Sequence, residues 1–236
     1  MNNAIELKNL TLSHRKNIIL NNISGVFPKG TLTAIAGPNG AGKSTLIKGI
    51  VGLIKPSQGH ILIDPKLRKH MSLLPQASDL DLSFPITTFD LVAMGAWKKT
   101  GLWHSYSSED KNRIFDALSQ VGLSHKADDL IGALSGGQLQ RALFARLMVS
   151  QAQIMILDEP FAAVDEETCQ DLMALIKHWH EQGRTIIVVL HDVNLVRQKF
   201  EQALLLAHQV VAWGPVAEVM TDDNIEKARR LSLGGF

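Results

Sequence analysis

Lys43 and Ser44 close the run Gly37-Pro38-Asn39-Gly40-Ala41-Gly42-Lys43-Ser44-Thr45, a full match to G-x-x-x-x-G-K-[ST]. Glycines here let the backbone bend tightly and aim bare amide N–H groups at phosphate oxygens. A lysine at this spacing can reach β- and γ-phosphates, and the Ser44 hydroxyl can ligate Mg²⁺. Far downstream the apolar run Ile154 to Leu157 ends in Asp158-Glu159. A buried strand that delivers Asp158 to its C-terminal edge would place a carboxylate beside bound phosphates, suited to holding Mg²⁺. Glu159, one residue on, is offset for a different task, accepting a proton from an attacking water. Leu134-Ser135-Gly136-Gly137-Gln138 supplies a second hydroxyl with bare amides at a helix start, hence a second anion site.

These groups need elements to position them. Alternation from Ile5 to Leu12 predicts a strand, and Ile18 to Phe27 a second that ends at the turn signal Pro28-Lys29-Gly30. Thr31 to Ala36 predicts a third strand running into the glycine loop, and Ser44 to Leu53 the helix that the loop opens. His60–Ile63 and His70–Leu74 read as short strands. From Thr87 to about Val149 the pattern turns helical, with Ser107-Ser108-Glu109-Asp110 starting one helix. Strand and helix then alternate: strand Ile154–Leu157, helix Glu166–Glu181, strand Thr185–Leu190, helix Asp192–Phe200. A hairpin over Ala203–Trp213 and a polar helix after Thr221 follow. The pattern is a parallel α/β core interrupted by a helical insertion.

The bulk properties exclude several classes. The 236 residues suit one α/β domain, and a net charge of +1 leaves no electrostatic footprint for nucleic acid. One cysteine, Cys169, allows no intrachain disulfide. The start Met1 to Glu6 lacks a basic segment followed by an apolar run, which predicts no signal peptide. The apolar stretches are too short to span a bilayer. His104, His125, His178, His180 and His208 have no compact ligand spacing, and His178 and His180 would point apart on a helix, so no transition-metal site is expected.

The three motifs in this order resemble the ATP-binding cassette (ABC) family over nearly the whole chain. The resemblance implies a P-loop NTPase core with a parallel sheet, an N-terminal antiparallel β-subdomain and a helical insertion. Residues 1–75 and 151–236 would form the core, and 76–150 the helical subdomain. It implies ATP and Mg²⁺ as ligands. Gln76 matches the family's Q-loop glutamine, a ligand to Mg²⁺ or the attacking water, and His191 the switch histidine at the γ-phosphate. Asp165 matches an aspartate that meets the partner subunit, and Ser135 to Gln138 would face the partner's ATP in a head-to-tail homodimer. His14 stands where relatives often carry a tyrosine that stacks on adenine, and imidazole offers a smaller face.

Residues Thr45 to Gln153 hold no sustained heptads, unlike the coiled coils of DNA-repair cassettes. A single cassette of this length resembles the separate ATPase subunits of bacterial importers. That implies a membrane permease partner, an extracytoplasmic solute-binding protein beyond it, and a place on the inner face of the cell membrane. Asp81 to Gly95 and Leu157 to Asp165 look like manganese, zinc and iron importer ATPases, while Leu190-His191-Asp192-Val193-Asn194-Leu195 also resembles siderophore, haem and cobalamin importers. A non-transport cassette such as an iron–sulfur assembly scaffold is the competing class.

Overall fold

The computed structural model describes residues 3–15, 17–97, 106–162 and 164–233; His104 lies outside them. The chain divides into two compact units, one of residues 1–71, 153–159 and 179–236, the other of 72–152 and 160–178.

The first unit opens with β1 (Asn3–His14), β2 (Asn17–Pro28), β3 (Leu32–Ala36), α1 (Lys43–Ile50) and β4 (Gln58–Ile63). Antiparallel pairing of β1 with both β2 and β4 gives a three-stranded sheet ordered β2-β1-β4. The alternation read in the sequence is the pleat of this sheet: Ile5 and Leu7 are fully buried while Glu6 and Lys8 stay on the wetter face. β5 is Met71–Leu74, β6 Ile154–Asp158, β7 Thr185–Val189, β8 Gln202–Ala207 and β9 Gln209–Pro215. They join β3 in a six-stranded sheet ordered β5-β6-β7-β3-β8-β9. The pairs β6-β7, β7-β3 and β3-β8 are parallel, and β8-β9 is antiparallel. Every residue of β3, β6 and β7 is buried, which explains why these strands read as unbroken apolar runs. The architecture is therefore the expected one: an α/β core with a mostly parallel sheet, an antiparallel β-subdomain and helices.

Most elements fall within a residue or two of their predicted bounds. The helix after the glycine loop is shorter than Ser44–Leu53 because Gly52 takes a left-handed conformation (φ +85) and Leu53 N donates to Lys48 O at 2.8 Å, a turn that ends it.

The second unit carries α2 (Thr88–Ala93), α3 (Ser108–Gln120) and α4 (Gly136–Ser150). It also takes most of α5 (Glu166–Glu181). Each of the first three starts with a reciprocal capping box, Thr87 with Asp90, Ser107 with Asp110 and Ser135 with Gln138. The buried Leu91, Val92, Ile114, Leu118, Leu143, Phe144 and Leu147 recur at helical spacing and fill the space between these helices. Past His191 run α6 (Val193–Lys199), α7 (Val216–Val219) and α8 (Asp222–Leu233), all in the first unit.

Candidate nucleotide-binding site

The glycine loop joins β3 to α1, so it stands at the C-terminal edge of the parallel sheet, where open α/β folds bind ligands. Its shape excludes other residues. A Cβ on Gly37 would lie 2.1 Å from Leu206 O, and one on Gly42, itself at φ +93, would lie 2.5 Å from a methyl of Leu20. Gly42 is also the residue that caps α1, leaving that helix's first amides without a side-chain acceptor.

Lys43 folds back over this loop. Its Nζ donates to Gly37 O at 2.9 Å and Pro38 O at 3.0 Å, and the residue is only 6% exposed. Burial holds the ammonium below the usual lysine range, while the carboxylates of Glu159 and then Asp158 pull the other way. The end of strand β6 thus brings Asp158 and the following Glu159 within electrostatic reach of the lysine. Asp158 is buried, at 4% exposure, and Ser44 is half-buried. Hydroxyl and carboxylate oxygens of this kind are the hard donors that Mg²⁺ takes.

Glu159 has φ +51, a left-handed conformation that costs a residue with a side chain about 1–2 kcal/mol. That turn swings its carboxylate away from the strand direction, and Oε1 is hydrogen-bonded with His191 Nε2. His191 directly follows Leu190, whose amide donates to Ile35 O at 3.0 Å on the strand feeding the glycine loop. His191 and Gly37 to Asn39 line one cavity of about 150 Å³. Gly37 to Thr45, Asp158, Glu159 and His191 therefore form one cluster in the first unit. His14 lies in the same unit, exposed at the tip of the β1–β2 hairpin, paired with Asn17.

The remaining predicted residues belong to the second unit. Ser135 caps α4: its Oγ accepts from Gln138 N at 3.3 Å, and Gln138 Oε1 accepts from Ser135 N at 3.0 Å. Gln138 is thus a capping partner as well as a member of the motif. Asp165 caps α5, accepting from Thr168 N at 2.7 Å and from Thr168 Oγ1 at 3.1 Å. Those bonds, led by the backbone one, hold its carboxyl below the usual aspartate range. Arg141 Nη2 donates to the same Thr168 hydroxyl at 3.1 Å. One chain of bonds therefore ties the helix of the Ser135 motif to the loop carrying Asp165. Gln76 is half-buried and precedes a 3₁₀ turn, Ala77–Asp79. Leu73, on the strand leading to Gln76, has its carbonyl bonded by Arg146 Nη2 at 3.0 Å, and burial lowers that guanidinium's pKa. Sequence reasoning missed Thr168 and Arg146. Neither stands in a motif, although an arginine on the buried side of α4 is a signal of its own. Among the described residues no group of three or more His, Cys, Asp or Glu is placed to hold a metal ion.

The family model described as "ABC transporter" matches residues 20–162, and the chain belongs to that family. It is an ATPase cassette of that class. It is similar to the manganese transport system ATP-binding protein MntB of Listeria monocytogenes, at 40% identity over 95% of both chains. It is likewise similar to the zinc transport system ATP-binding protein TroB of Treponema pallidum, at 37% identity over 95% of this chain and 86% of that one. Among solved structures, a chain of an inward-facing ABC transporter aligns with TM-score 0.86 at 27% identity, covering 97% of this chain and 90% of the other. The dimeric cassette MJ0796 aligns with TM-score 0.78 at 29% identity, over 90% of this chain and 98% of that one.

Proposed function

We propose that this chain is the ATP-hydrolysing subunit of an importer for a transition metal ion, manganese or zinc being the cargo its relatives' names carry. The observation that carries the catalytic part is the Glu159–His191 contact beside the buried Lys43. In this reading the loop amides of Gly37 to Thr45 and the Lys43 ammonium bind the β- and γ-phosphates. Ser44 and Asp158 would hold Mg²⁺, which neutralises phosphate charge when bound. Gln76 keeps its assigned role, ligand to Mg²⁺ or the attacking water, on the strength of its sequence position. Glu159 accepts the proton of the attacking water, and His191 orients Glu159 and meets the γ-phosphate. His14 is assigned to the adenine, where its exposed ring is accessible.

Ser135, Gly136, Gly137, Gln138 and Asp165 are assigned to the second copy's nucleotide across an ATP-bound homodimer. The similarity to a dimeric cassette supports this assembly. No helix among the described residues is long and apolar enough to cross a membrane. In this reading a permease chain spans the membrane, a solute-binding protein delivers cargo outside it, and the cassette sits at its inner face.

Glu159→Gln tests the assignment. The amide keeps size and loses basicity, so ATP binding is expected to persist, phosphate release to fall to background and ATP to trap a dimer in gel filtration. Turnover at the wild-type rate in this variant would overturn the role given to Glu159.

A further inference from the structure

Resting on the reading of this site as an ATPase centre, we infer that His208 is a positioning residue for the nucleotide, a strap between the phosphate loop and strand β2. Nothing in the sequence motifs points to it. It is the single residue of the turn between β8 and β9, and it adopts φ +57 despite carrying a side chain. Residues with side chains adopt that conformation uncommonly, with asparagine, aspartate and histidine the ones that do so most often.

Three separate bonds meet there. The His208 amide donates to Ala41 O at 3.0 Å, inside the phosphate loop. Asn21 N donates to His208 O at 2.9 Å, and the imidazole Nδ1 donates to Ile19 O at 3.0 Å, both on β2. A carbonyl acceptor fixes the proton on Nδ1. Two residues before the turn, Leu206 O is the atom that excludes any side chain at Gly37. The turn therefore braces the loop at both Gly37 and Ala41. Ile19 and Asn21 lie on the strand that begins beside the hairpin tip bearing His14. Leu20, between them, packs where a Cβ of Gly42 would be. His208 thus couples the strand assigned to the base end of the nucleotide to the loop assigned to its phosphates. All of these residues lie in the first unit.

The ring can be removed without disturbing the backbone. His208→Gly keeps the left-handed turn and the two main-chain bonds and loses the imidazole's bond to Ile19. His208→Asn also tolerates the left-handed turn, and its amide places a donor close to where Nδ1 stands. Full-length wild type and both variants are compared for KM and kcat in ATP hydrolysis, and for Kd of ATP by equilibrium dialysis. His208→Gly is expected to raise KM and Kd about fivefold, the effect of one net hydrogen bond, with kcat within about twofold of wild type. His208→Asn is expected to restore both constants to within about twofold of wild type. Unchanged KM and Kd in His208→Gly would overturn the inference, as would an Asn variant no better than the Gly one. A fall in kcat and thermal midpoint with KM unchanged would assign His208 to stability alone and overturn it equally. Failure of the wild type to bind or hydrolyse ATP would instead sink the reading of the site, so the two failures are told apart.

Discussion

At the scale of single residues, the site stores unfavourable terms where function needs them. Lys43 is a cation held almost out of water, and the desolvation that lowers its pKa outweighs the pull of Glu159 and Asp158. Lys43→Met removes that burial cost at similar volume. Its thermal midpoint without nucleotide is expected to equal or exceed that of wild type, while the rise on adding ATP and Mg²⁺ disappears. For wild type that rise reflects about 2.7 kcal/mol at a ligand concentration of 100 Kd. A variant several degrees less stable without nucleotide would make Lys43 a structural residue. The pH dependence follows with a definite sign. The native protein releases this proton before the unfolded chain does, so stability rises with pH in the window below the ordinary lysine value of 10.5 and falls again as pH drops through the lowered one. Lys43→Met removes that slope, which melts across alkaline pH would record. The identity of Lys43 was legible because a phosphate loop fixes residue types at fixed spacing. The left-handed turn at Glu159 was not, because glutamate carries no signal for that conformation and only the hydrogen bond with His191 reveals what the turn achieves.

At the scale of elements, helix starts carry both stability and chemistry. Ser135 caps α4 with its hydroxyl, and that cap alone is worth about 1 kcal/mol. Ser135→Ala would lose cap and hydroxyl together and so separate nothing. Ser135→Asp keeps a good cap but sets a negative charge at the helix end assigned to phosphate. It is expected to melt like wild type and to lose ATP-dependent dimerisation and most turnover. A variant with wild-type turnover would leave Ser135 as a cap and nothing more. The strands were read well because burial on both faces makes parallel strands continuous apolar runs, and the amphipathic helices because their caps and spacing are local. The bond from Arg141 to Thr168 escaped, since those partners are 27 residues apart in sequence and neither distance nor angle is written in residue type. The same holds for His208, whose bonds reach β2 and the phosphate loop.

At the scale of the whole molecule, a cassette with no membrane-crossing helix among its described residues needs a surface on which a permease can act. We propose that the segment from Gln76 to Gly95 is that surface. Its alternation of Leu80, Leu82, Phe84 and Ile86 with polar residues would also suit a strand packed on the core. No strand forms between Leu74 and Thr87, where Thr87 makes an isolated bridge with Leu130. Leu82 and Phe84 are 43% and 58% exposed, and Leu130 is 50% exposed. The segment is nonetheless anchored. Ile131 N donates to Ile86 O at 3.1 Å, Thr88 N donates to Asp129 O at 2.8 Å, and Leu82 O lies where a side chain at Gly132 would be. Ser83 is tied to Asp81 through its amide at 3.0 Å and its hydroxyl at 2.6 Å. A fixed backbone that presents bare leucine and phenylalanine among aspartates fits a partly polar interface made with another chain. Charging such exposed positions has little effect on the fold, because no buried contact is lost. Leu82→Asp and Phe84→Glu are therefore expected to leave the thermal midpoint and basal ATPase activity of the isolated subunit unchanged. In cells each should abolish co-purification with the permease and stop metal uptake, because a desolvated charge at the centre of an interface costs several-fold more than one at its rim. Loss of basal turnover would return these side chains to the core. Variants that still assemble and transport would place the permease contact elsewhere on the cassette.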